Sequence, residues 1–167
     1  MKDAIALLKQ DHANVKAMFQ QFEELGDRAF ASKKTLADKI CLELTRHATA
    51  EEEIFYPAVR GAGKESEDLI DEATVEHSTA KDLIAQIGAM DAHDELFDAT
   101  VKVLGEYIDH HVREEEGEIF PKAKQAGLDL QGMAREIEAR KEEIDFVPPT
   151  MPDVKSGRSP ARAPGNR

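Results

Sequence analysis

The sequence predicts an all-α protein: an up-down-up-down antiparallel four-helix bundle, a short fifth C-terminal helix and a disordered tail. Three observations predict it. Apolar residues recur at steps of three and four through long segments. Short breaker clusters such as Gly61-Ala62-Gly63 separate those segments. Aromatics make up only 5% of the 167 residues and charged residues 34%, a balance that suits helices better than sheets.

Helix 1 is expected over about 3–24 and stops near Gly26. Helix 2 is expected over 33–59, with Ser32 as its N-cap and Gly61-Ala62-Gly63 as its end. Helix 3 covers 66–87 and stops at Gly88; helix 4 covers 94–123 and ends before Gly127. A fifth amphipathic segment follows over 130–144. Connections this short favour antiparallel neighbours. Pro57 and Pro121 fall late in helices 2 and 4, where a missing N–H should kink or close the helix. The other five prolines lie after Val147 among Ser, Gly and Arg, so 147–167 reads as a disordered tail. The expected division is a bundle over 1–125, an accessory helix over 126–146 and the tail.

Charge is unevenly spread. The tail carries Lys155, Arg158, Arg162 and Arg167 against Asp153, a balance of +3, so residues 1–146 hold −15 of the overall −12. So acidic a body is a poor nucleic-acid binder and suits a cation better. No apolar run reaches transmembrane or signal length, so no membrane is expected and the cytoplasm is the expected location. The single Cys41 sits among Ile40, Leu42 and Leu44 and reads as a buried structural thiol.

The bundle repeats internally. At an offset of 64, Ile40, Leu44, His47 and Glu51 match Leu104, Ile108, His111 and Glu115. At an offset of 65, the stripe holding His12 matches the one holding His77. The steps of three and four put each set on one helical face. Six polar groups therefore point inward: His12, His47, Glu51, His77, His111 and Glu115. Burying them without partners would be costly, whereas a metal would satisfy them. The donors are N and O with no thiolate, which suits Fe, Mn or Zn. A single tetrahedral zinc leaves the second carboxylate unexplained. Two carboxylates facing each other across a two-fold axis suit bridges between two ions, each also holding two His. With an oxo or hydroxo bridge, each ion would keep about one open position for O2, peroxide or NO. Ferritin-like bundles use Glu-x-x-His, and no His here follows a Glu at that spacing.

One His on helices 1 and 3, His-x-x-x-Glu on helices 2 and 4, and the phrases "EEEIFYP" and "HHVREEEGEIFP" resemble the hemerythrin-like HHE cation-binding proteins of bacteria. The resemblance covers residues 1–125. It implies a hemerythrin-like bundle with a non-haem di-iron centre (two iron ions, oxo- or hydroxo-bridged) held by His12, His47, Glu51, His77, His111 and Glu115. The sequence departs from the oxygen-carrying hemerythrins at two places. Lys81 stands where they carry a second His on helix 3, and Glu115 follows its His by four residues rather than an Asp by five. Oxygen binding, NO or peroxide chemistry, sensing and iron handling all stay open. So does a peroxidase-like, catalase-like or NO-reducing enzyme, although binding or sensing fits the resemblance better. A protein partner could use helix 5 or the tail.

Three residues are candidates for additional or outer contacts: Tyr56 beside Pro57, His110 one place out of register with Glu114, and Glu43 one turn before His47. Glu52, Glu53, Glu114, Glu116 and Glu118 read as a solvated face, with guiding iron in or holding a ligating His by its other nitrogen as the alternative role for some of them.

Overall fold

The computed structural model describes residues 2–145; the expected tail, 147–167, lies outside them. Four long helical columns form the bundle. The first is α1 (Ala4–Glu24), opened by Asp3, whose carboxylate accepts from the Ala6 N–H at 2.9 Å. The second is α2 (Phe30–Ala50), a π-helical turn (Glu51–Phe55) and α3 (Tyr56–Arg60). The third is α4 (Lys64–Ala89). The fourth is α5 (Phe97–Glu114), a second π turn (Glu115–Ile119) and α6 (Phe120–Gln125). A shorter α7 (Leu130–Glu142) follows, capped by Asp129 on the Gly132 N–H.

Two boundaries differ from expectation. α2 begins at Phe30, one turn early, so Ser32 lies inside the helix and is not its cap. Phe30 packs at the end of the core and stacks on His93, whose ring centroid is 3.9 Å away. The fourth column begins at Phe97 rather than Asp94, because Asp91 and Asp94 close the preceding turn. The prolines do not end their helices. Each sits at the first turn of α3 or α6, just past a π turn in which the Tyr56 or Phe120 N–H reaches back to Glu51 or Glu115 O. The wider turn moves the upstream carbonyls away from the pyrrolidine ring, so the column continues.

The core divides into two apolar layers. One holds Ile5, Leu8, Phe55, Val59, Ile70 and Phe120, joined by Met133 and Ile137 of α7. The other holds Met18, Phe22, Ile40, Ile84, Phe97 and Leu104. Cys41 lies in this second layer, where burial pushes its thiol up to about 12 and keeps it inert. Buried Lys33 ties the start of α2 to α5 through Asp98 at 2.8 Å. α7 packs across α1, α2 and the first π turn, so the fifth helix contributes to the bundle core. Among the described residues, no helix is long and apolar enough to cross a membrane.

Candidate metal centre

Between the two apolar layers lies a polar one. His47, Glu51, His77, His111 and Glu115 are buried, and the His12 side chain is 7% exposed. All six sequence-predicted residues meet there. They form two four-donor groups: His12, His47, Glu51 and Glu115, and Glu51, His77, His111 and Glu115. Both glutamates belong to both groups. Glu51 offers Oε1 to His47 Nε2 at 2.8 Å and Oε2 to His77 Nε2 at 3.1 Å. Glu115 mirrors it, with Oε1 3.1 Å from His12 Nε2 and Oε2 3.3 Å from His111 Nε2. The imidazoles also meet in pairs through Nε2, His12 with His47 and His77 with His111, each at 3.2 Å.

The outward ring nitrogens explain how the rings are aimed. Nδ1 of His47 faces Asp11 at 2.9 Å. Nδ1 of His12, His77 and His111 face Glu116, Glu52 and Glu76, each at 3.4 Å. A carboxylate behind Nδ1 keeps the proton there and leaves the Nε2 lone pair inward. Four such lone pairs then converge on two carboxylates. Both Glu51 oxygens and Glu115 Oε1 are sealed from solvent without a hydrogen bond of acceptable geometry. Orphaned acceptors facing lone pairs call for cations, and this donor set fits a pair of them.

Without cations, protons must compensate. Burial alone would lower His47, but Glu51 and Asp11 more than reverse this and push it up to about 10. His77 goes to about 9, burial being overcome by Glu51 and Glu52. His111 is also raised, chiefly through Glu115 against burial. Burial would raise Glu51, yet His47 and His77 hold it well below the usual carboxylate range.

The two halves are not equal. Tyr56 is buried, and its hydroxyl donates to Glu115 Oε2 while lying 3.1 Å from His77 Nε2. Its repeat mate is Phe120, which stacks on the His12 ring at 5.9 Å. A phenol thus adjoins one donor group and a bare ring the other. Burial, then Glu51 and Glu115, push the Tyr56 phenol well above its ordinary value. Beside the centre lies a cavity of about 30 Å³ lined by aliphatic residues such as Val15, Leu44, Ile84 and Ile108 and by the four imidazoles of the centre. That is room for a guest the size of a water or a diatomic, mostly against apolar surface.

Two candidates are not brought in. His110 is 65% exposed and pairs with Glu114 at 3.1 Å. Glu43 faces Arg46 at 3.3 Å, away from His47, because its oxygen turns to the cation one turn along the surface. Glu52 and Glu116, read above as solvated, back His77 and His12 instead. Asp11 and Glu76 were missed altogether. The signal was present: an acid directly precedes the His of helix 1 and of helix 3 at the same offset of 65.

Fold and site together define a four-helix-bundle protein with a buried His/Glu cation centre. A family model described as "Hemerythrin HHE cation binding domain" matches residues 3–123. The chain belongs to that family. It is 32% identical over 117 residues to a DNA nickase of Nostoc sp., covering 68% of this chain and 31% of that protein. It is 25% identical over 113 residues to an uncharacterised hemerythrin-like protein of Schizosaccharomyces pombe, covering 67% of this chain and 55% of that one. The chain therefore spans from about a third to about half the length of the curated relatives it matches. In fold it is similar to the crystal structure of a hemerythrin HHE cation binding domain-containing protein from Mycobacterium kansasii. The TM-score is 0.73 at 22% identity, covering 86% of this chain and 87% of that one.

Proposed function

We propose that the centre holds two iron ions and binds O2 or a related small ligand such as peroxide or NO, in an oxygen, redox or NO response or in iron handling. The observation that carries this reading is the sharing of Glu51 and Glu115 between two four-donor groups. His12 and His47 would hold one ion, His77 and His111 the other, and the two glutamates both. Bound iron would supply reversible electron transfer and an open coordination position. The chain's own residues do the rest. Asp11, Glu52, Glu76 and Glu116 hold the imidazoles in the metal-binding tautomer. Val15, Leu44, Ile84 and Ile108 give the neighbouring cavity an apolar wall, and its size admits a diatomic. The Tyr56 hydroxyl, beside His77 and Glu115, can hold a proton or turn to the nearer ion. The DNA nickase of Nostoc sp. is a longer protein, of which this chain spans 31%, and the acidic body of this chain disfavours contact with phosphates.

The test is anaerobic iron loading with metal quantification, followed by optical titration with O2, peroxide and NO. Two irons per chain and a new band on titration are expected. His47→Ala and His111→Ala should each lose most of the iron. One zinc with no optical response would overturn the reading, as would unchanged iron content in both variants. Steady peroxide turnover, absent in those variants, would make the protein an enzyme.

A second reading, an iron-gated sensor, draws on one contact. Lys141 of α7 meets Asp11 at 2.5 Å, and Asp11 backs His47. In that reading residues 126–146 are an accessory helix whose docking follows the state of the centre, and 147–167 are available to a partner. Protease protection after Leu128 that depends on iron would support it; protection indifferent to iron would exclude it.

A further inference from the structure

We propose that Glu76, His110 and Glu114 form an outer site for a divalent first-row cation, at the mouth of a cleft leading to His111 and Glu115. Its role as a staging post rests on the reading of the inner centre as an iron site.

The three residues bring donor atoms from α4 and α5 within 4.8 Å of one another. His110 Nε2 lies 3.1 Å from Glu114 Oε1. One imidazole and two carboxylates are a donor set that hydrated divalent ions accept, with waters completing the shell. The trio also connects inward. Glu76 Oε2 is enclosed without a hydrogen bond of acceptable geometry. Facing it at 3.4 Å is Nδ1 of His111, whose side chain is only 6% exposed and whose Nδ1 also lacks a hydrogen bond of acceptable geometry. A space of about 10 Å³ adjoins this contact, walled by Glu72, Glu114, Glu118, Leu69 and Ile119 and reaching His111 and Glu115. A volume of about 10 Å³ holds at most about one water, so an ion would pass only by exchanging hydration for carboxylate oxygens.

The internal repeat supplies a control within the same molecule. The matched position in the first hairpin has Leu7 for Glu72, Asp11 for Glu76, Arg46 for His110, Ala50 for Glu114 and Ile54 for Glu118. There α7 covers the surface. Ala50 and Ile54 join the core beside Met133 and Ile137, Lys141 neutralises Asp11, and Arg46 donates to Ile144 O at 2.9 Å. One of two equivalent routes is thus closed by apolar and basic residues. The other carries four glutamates and a histidine and has no covering helix among the described residues.

The experiment uses the full chain, wild type and His110→Gln/Glu114→Gln. Protein preloaded with two equivalents of Zn2+ per chain, enough for the inner centre alone, is titrated with Mn2+ and free Mn2+ is counted by electron paramagnetic resonance. Separately, anaerobic Fe2+ uptake by the metal-free chain is followed in time. The wild type should bind one further Mn2+ and the double variant should lose it. Iron uptake in the variant should slow by about tenfold or more, the lower end of what a charged cleft adds to an association rate. Its final iron content should not change. Mn2+ binding that survives in the variant overturns the outer site. Loss of Mn2+ with unchanged uptake rate overturns the staging role. Should the wild type take up no iron while its extra Mn2+ still disappears in the variant, the inner-centre reading has failed and the outer cation site is supported.

Discussion

Asp11→Asn isolates what a carboxylate behind a ligating imidazole contributes. Asp11 Oδ2 lies 2.9 Å from His47 Nδ1 and its side chain is 14% exposed, so its charge is poorly screened. Asparagine keeps an acceptor oxygen in place and removes only the charge. Loss of such a partner commonly weakens metal binding by about 10- to 100-fold, or about 1.4–2.7 kcal/mol. The short, shielded contact places Asp11→Asn toward the upper end of that range. Glu116→Gln belongs at the lower end, because its contact to His12 is 3.4 Å and its side chain 37% exposed. Lys141→Met separates the second role of Asp11, since it removes the 2.5 Å ion pair and leaves the carboxylate facing His47. The pair is partly buried, at 21% and 14% exposed, but Lys141 acts on His47 only through Asp11, so affinity should change by less than in Asp11→Asn. The assay is anaerobic competition against a chelator of known affinity, with far-UV circular dichroism to confirm the fold. Equal affinities for wild type and Asp11→Asn, or a larger loss in Glu116→Gln, would refute the reasoning.

Three further outcomes are expected. The metal-free chain should be more stable at pH 6 than at pH 10. His47 and His77 are raised to about 10 and about 9, so their contribution is complete below the ordinary value near 6.5 and is lost as pH rises through 9–10; a denaturant midpoint that climbs over that interval would contradict this. Ile137→Ala should destabilise the chain by about 2–4 kcal/mol in urea unfolding, because the side chain is fully buried where α7 joins the core; a loss under about 1 kcal/mol would show that α7 is not integral. Tyr56→Phe should retain iron but abolish any visible phenolate charge-transfer band of the ferric protein, and a band that persists would place the phenol outside the coordination sphere.

How far the sequence could be read follows from geometry. The four columns and the six inward groups were legible because an apolar stripe at 3.6-residue spacing marks one face, and the duplicated hairpin writes each polar exception twice. Asp11 and Glu76 escaped because they sit one residue before their His, about 100° round the helix, where a carboxylate resembles any solvated one. Their partners are imidazoles of neighbouring helices, and only assembly reveals them. Glu52 and Glu116 were hidden in acidic runs for the same reason. The inward turn of Tyr56 depends on a π turn that no spacing rule announces. The early start of α2 depends on Phe30 finding His93 across the end of the bundle.

The two π turns have a consequence for how such a centre can change by mutation. In a regular α-helix, a residue five places beyond an inward Glu would swing away from it. The added backbone in Glu51–Phe55 turns residue 56 back onto the wall that carries Glu51, and Glu115–Ile119 does the same for residue 120. The duplicated hairpin therefore holds two equivalent sockets, one filled by phenol and one by phenyl. Because these differ by one oxygen and, in the genetic code, by one base, the lineage can trade a symmetric centre for a lopsided one in a single step. No helix would need to shift.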